Sequence, residues 1–102
     1  MDIINEHFKK HEKWPRPPIE CADGFAISVQ AHYGAYCQPR PMFRDEMRVI
    51  GEFTAVECGY PNGPVPELAE WKDGDGKDEE CVYGYVPVPI VLALIEKHGG
   101  LK

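Results

Sequence analysis

Hydroxyl side chains are almost missing from this chain: Ser28 and Thr54 are its only serine and threonine in 102 residues. A Ser-rich flexible linker is excluded, and only one serine is left as a candidate nucleophile. Ser28 sits inside an alternating run with no Gly-x-Ser-x-Gly elbow to expose it. Glycine-rich phosphate loops of the G-x-G-x-x-G or Walker type are also absent. The four cysteines, Cys21, Cys37, Cys58 and Cys81, stand apart with no Cys-x-x-Cys pair, so the strongest zinc signature is missing. No apolar stretch approaches the roughly 18 residues of a membrane span. The opening residues lack the basic start and apolar run of a secretory signal. The expectation is a cytoplasmic protein with reduced thiols.

What is present in quantity is punctuation and acid. Ten prolines and ten glycines favour short elements and much loop. The net charge of −6 lies wholly in the second half: residues 1–50 hold seven Lys/Arg against seven Asp/Glu, residues 51–102 four against ten. Phosphate backbones repel such a chain, so no direct nucleic-acid binding is expected, and a basic partner suits it better.

At this length one domain is expected. Asp2 can cap a short helix with Ile4, Phe8 and His11 on one side, stopped by Trp14-Pro-Arg-Pro-Pro18. From Ile19 the period becomes two. Ile19 to Cys21 can pair across Ala22-Asp-Gly24 with Phe25 to Tyr33, where Phe25, Ile27, Val29, Ala31 and Tyr33 share a face. Ala35 to Cys37 reads as a short return strand, residues 43–48 as a helical turn, and Val49 to Tyr60 as a strand. Pro66 to Trp71 suits another helical turn, Lys72 to Glu80 an acidic loop, and Cys81 to Val86 the last strand. Pro87 and Pro89 open a helix to about His98, stopped by Gly99-Gly100. The fold class is α+β: a small antiparallel sheet of three to five strands with an N-terminal and a C-terminal helix packed on it.

Chemistry is harder to find. Asp73-Gly-Asp-Gly-Lys-Asp-Glu-Glu80 has the carboxylates of a calcium loop, but the fifth, sixth and twelfth positions hold Lys77, Asp78 and Gly84, so the register fails. It reads as a solvated acidic rim of Asp73, Asp75, Asp78, Glu79 and Glu80. His7 and His11, four apart on the first helix, have metal-binding spacing without a third ligand. Cys21, His32 and Cys37 are residue types that could converge, and Cys37 with His32 could form a thiolate pair, but neither set is marked as assembled. No metal and no cofactor are expected.

The last helix is too apolar for a surface helix. Val88, Val91, Leu92 and Ile95 form a docking stripe, whereas Ile90 and Leu94, widened by Ala93, form a second one. The expectation is a partner-binding face of Ile90, Leu94 and Ala93 with the aromatic residues Tyr83, Tyr85 and Trp71, or a homodimer contact. The alternative is that Pro64 to Trp71 folds over this side and buries it.

Cys21-Ala-Asp-Gly-Phe-Ala-Ile-Ser-Val-Gln-Ala31, Ala35-Tyr-Cys-Gln-Pro-Arg40, Thr54-Ala-Val-Glu-Cys-Gly-Tyr-Pro61 and Val82-Tyr-Gly-Tyr-Val-Pro-Val88 with Leu94-Ile-Glu-Lys-His-Gly-Gly100 resemble small uncharacterised proteins encoded by tailed bacteriophages and prophages. In this chain the segment Pro41 to Glu52 is longer than in that pattern. The resemblance transfers no functional residue. It implies a non-enzymatic accessory protein in the host cytoplasm that binds a host protein, such as an inhibitor of a bacterial defence system. A small-molecule or metal binder, an acidic nucleic-acid mimic and a Cys/His enzyme are the rival readings.

Overall fold

The structure, a computed structural model, describes residues 2–13, 15–41 and 52–102. Helix α1 (Ile3–Lys10) starts as the sequence predicts: the Asp2 carboxylate accepts from the Asn5 amide at 2.8 Å, and His7, Lys9 and Lys10 crowd the last turn. Ile4 and Phe8, one turn apart, are buried, and Phe8 meets Phe53 edge-on at 5.4 Å. Between them the buried Asn5 accepts from the Phe53 amide at 2.8 Å and donates to its carbonyl at 3.1 Å. One side-chain amide thus satisfies both backbone groups of Phe53, as a neighbouring strand would.

Five strands follow: β1 (Ile19–Glu20), β2 (Ala26–Gln30), β3 (Ala55–Gly59), β4 (Lys72–Asp73) and β5 (Val82–Pro87). They form one sheet in the order β1-β2-β3-β5-β4, antiparallel at every pairing. The expected tight turn joins β1 to β2, with the Asp23 carboxylate accepting from the Phe25 amide at 2.9 Å and Gly24 at a φ of +95°. Phe25, Ile27, Val29 and Ala31 are buried as their alternation predicts. Tyr33 is not, because the Ala35 amide donates to the His32 carbonyl and turns the chain outward. Ala35 to Cys37 is not a strand either; Gln38 bridges Ala55 instead. The helical turn expected at 43–48 and the strand start expected at Val49 lie outside the described residues.

Strand β5 runs straight into helix α2 (Val88–Lys97), and a short 3-10 turn, Pro66–Trp71, lies between β3 and β4. The end of α2 is a Schellman motif: the Gly100 amide donates to the Ile95 carbonyl and the Gly99 amide to the Glu96 carbonyl, with Gly99 at a φ of +91°. Past it, Leu101 bridges Cys21 and the Lys102 amide donates to the Glu20 carbonyl, so the tail covers the edge of β1.

Alternation divides the sheet into two unlike faces. Ile19, Ile27, Val29, Val56, Cys58, Tyr83 and Val86 share one core with Ile4 and Phe8 of α1, Val88, Val91, Leu94 and Ile95 of α2, and Leu68 of the 3-10 turn. The opposite face is small and polar. Its pairing register sets Ser28, Gly59, Val82 and Asp73 in one row across four strands, with Gln30 beside Glu57 in the next.

Candidate functional site

Two residues expected at a partner surface belong to the core. Leu94 is 2% exposed and Tyr83 has no exposed surface. Leu94 is covered from within: Leu68 of the Pro66–Trp71 turn is buried in the same cluster, and Glu67 of that turn pairs with Lys97 of α2. Of the face expected to be open, Leu94 is thus internal, Ile90 is partly buried against the core and Ala93 is exposed. Tyr83 lies on the inner sheet face, where burial pushes its phenol up to about 12 while its hydroxyl donates to the Asp78 carbonyl at 2.9 Å.

The acidic loop is divided as well. Asp73, Asp75, Glu79 and Glu80 are exposed. Asp78 is half-buried, accepts from the Val65 amide at 2.8 Å and pairs with Lys72 at 2.8 Å. Those two contacts, the lysine first, hold its carboxyl below the usual range. Asp78 is thus a structural tie between the 3-10 turn and β4 rather than part of a free rim.

The histidine and cysteine sets assemble only in part. His7 and His11 do meet, with ring centroids 4.9 Å apart, but His7 Nε2 lies 3.0 Å from the Pro17 carbonyl. No cluster of three His, Cys, Asp or Glu that could hold a metal occurs among the described residues. All four cysteines are free and buried. The Cys37 thiol donates to the carbonyl oxygens of His32 and Pro39 at 3.5 and 3.8 Å, and burial raises its pKa. His32 Nδ1 accepts from the Gly34 amide at 3.1 Å and is turned to its own loop. Ser28 lies on the open face and accepts from Gln30 Nε2 at 3.1 Å.

Tyr85 and Trp71 belong to a different surface from the one expected. Between Val56 and Cys58 the β3–β5 register slips by one residue, because β5 carries an extra residue at Gly84-Tyr85. Tyr85 takes up the bulge at a φ of +55°, a left-handed conformation that costs a bulky residue about 1–2 kcal/mol. Its amide donates to the Tyr36 carbonyl at 3.0 Å, and the Tyr36 amide donates to Glu57 on the open face at 2.8 Å. The Tyr36 and Tyr85 rings stand 5.8 Å apart, tilted by 36°, and both are nearly half exposed. Gly84 allows this: a Cβ there would lie 3.1 Å from Tyr36 Cβ.

Beside these rings lies a shallow cleft of about 370 Å³ lined by Tyr36, Tyr85, Trp71, Gly84, Glu70 and Asp73. A second cleft on the open face, also about 370 Å³, is lined by Ser28, Gln30, His32, Glu57 and Tyr60. The row from Ser28 to Asp73 joins the two. Tyr60 is 64% exposed and is itself at a φ of +50°. The two residues other than glycine with positive φ among the described residues are thus both exposed tyrosines bordering this face. The sequence signal for the bulge is the glycine inside Tyr83-Gly-Tyr85, which interrupts an otherwise alternating strand.

No protein-family model, curated protein or solved structure matches this chain. No helix among the described residues is long and apolar enough to cross a membrane.

Proposed function

We propose that this chain is a non-enzymatic protein-binding module whose contact surface is the open sheet face, centred on Tyr36, Tyr85 and Trp71. The observation that carries the reading is Tyr85: a large ring stands nearly half in solvent on a backbone that glycine would adopt at no steric cost. The Tyr36 ring covers only part of it, and a partner accounts for the rest, since tyrosine and tryptophan bring large contact area at low entropic cost. The buried Cys37 thiol, bonded to carbonyl oxygens, offers no activated nucleophile in support of a Cys/His enzyme. The resemblance to phage-encoded proteins directs the partner class to a host protein, such as a component of a bacterial defence system.

The test is capture from bacterial lysate with tagged wild type and a Tyr36→Ser/Tyr85→Gly variant, both checked for folding by circular dichroism. One stoichiometric protein held by the wild type and lost by the variant is the expected result. The same proteins recovered with both baits, or none with either, would contradict it.

A further inference from the structure

The cleft beside Tyr36 and Tyr85 differs from an ordinary aromatic patch in its charge. Two carboxylates, Glu70 and Asp73, line it together with the three aromatic side chains, and neither forms an ion pair among the described residues. The one cation in its wall, Lys72, is already held by Asp78 at 2.8 Å. Aromatic side chains and unpaired carboxylates around one depression favour a cation, and Gly84 lets the Tyr36 side chain pack directly on β5 to form that wall of the cleft.

Resting on the binding-module reading, we infer that this cleft receives an arginine side chain presented by the partner protein. A guanidinium fits better than an ammonium: it is flat, stacks on aromatic faces, is weakly hydrated, and can offer paired donors to a carboxylate while its stem lies against a ring. The chain's net charge of −6 would draw a basic partner surface toward it. The strained Tyr85 then has a defined task, since its ring forms one wall of the cleft beside Tyr36.

The experiment titrates the ¹⁵N-labelled 102-residue chain with three short neutral-flanked peptides, whose central residue is arginine, lysine or citrulline, the uncharged isostere of arginine. The expected result is saturable shifts at Gly84, Tyr85, Asp73 and the Trp71 indole with the arginine peptide. They should weaken as salt rises and be lost with citrulline. Tyr36→Ser should weaken binding roughly 2–5-fold, the range of one exposed cation–π contact. Asp73→Asn with Glu70→Gln should weaken it further without changing the thermal midpoint, and serves as the second variant where Tyr36→Ser fails to fold. Equal response to citrulline, shifts confined to other residues, the lysine peptide bound more tightly than the arginine one, or no response to any of the three would each overturn the arginine assignment. If the captured partner is nevertheless lost with Tyr36→Ser/Tyr85→Gly, the contact surface stands and the arginine assignment alone fails.

Discussion

The imidazole of His98 lies flat on the Phe25 ring, with centroids 4.0 Å apart and planes 9° from parallel, while its Nδ1 sits 2.7 Å from the Asp23 carboxylate. This contact joins the C-terminal end of α2 to the β1–β2 turn. His98→Ala should lower stability by about 0.5–1.5 kcal/mol, the range of an aromatic pair, as read by urea unfolding. The Phe25 amide and then His98 hold the Asp23 pKa down. A depressed folded-state pKa gives stabilisation that is complete above the unfolded value of about 3.9 and lost as pH falls through the folded value. Asp23→Asn should therefore be less stable than wild type at neutral pH, with this difference disappearing in strong acid.

Arg16 is 3% exposed, donates to the carbonyl oxygens of His11 and Ala31 at 2.7 Å each, and lies 4.3 Å over the Phe8 ring. Burial lowers its pKa to about 10, still far above neutrality, so it is a buried cation at pH 7. Arg16→Met keeps the bulk and leaves both carbonyls without their donor. A loss of about 2–4 kcal/mol in denaturant unfolding is expected.

Helix α2 offers a contrast between neighbours. Leu94→Ala removes a side chain from the centre of the core and should cost about 2–5 kcal/mol. Ala93→Ser, at an exposed position, should stay within about 0.5 kcal/mol. The Ile90→Lys/Leu94→Lys chain should be unfolded by circular dichroism.

Within the acidic loop the expected effects also separate. Asp78→Ala leaves the Val65 amide without its acceptor and Lys72 without its counter-ion, and should lower the thermal midpoint. Neutralising Asp75, Glu79 and Glu80 together should leave the midpoint nearly unchanged. Calorimetric titration with calcium should show no saturable heat.

Much of the architecture was legible because local rules agreed with the tertiary outcome. Asp2 as a cap, the Asp23-Gly24 turn, the alternation from Phe25 to Ala31, and Gly99-Gly100 as a helix stop each carry their own physical signal. The role of α2 was less legible, since a helix apolar on two sides looks alike whether a partner or its own chain covers it. Tertiary burial of Leu94 beside an exposed Ala93, with Glu67 of the 3-10 turn paired to Lys97, is what separates the two cases. Tyr83 and Tyr85, two residues apart, should face the same way on a regular strand. The bulge separates them, placing one in the core and the other in solvent. Asp78 looked like its acidic neighbours because a carboxylate's partners, here Val65 and Lys72, are set by tertiary contacts.

The thermal midpoint of Tyr85→Gly tests most directly whether this ring is kept for contact rather than for the fold. Glycine relieves the left-handed backbone cost of about 1–2 kcal/mol and gives back about 0.5–1 kcal/mol in unfolded-chain entropy. These give a net gain of about 0–1.5 kcal/mol, so the expected midpoint is unchanged or up to about 10 °C higher than wild type, given about 4–8 °C per kcal/mol for a domain of this size. A fall of more than about 5 °C would mean that Tyr85 holds the structure together, and would contradict its assignment to a binding surface.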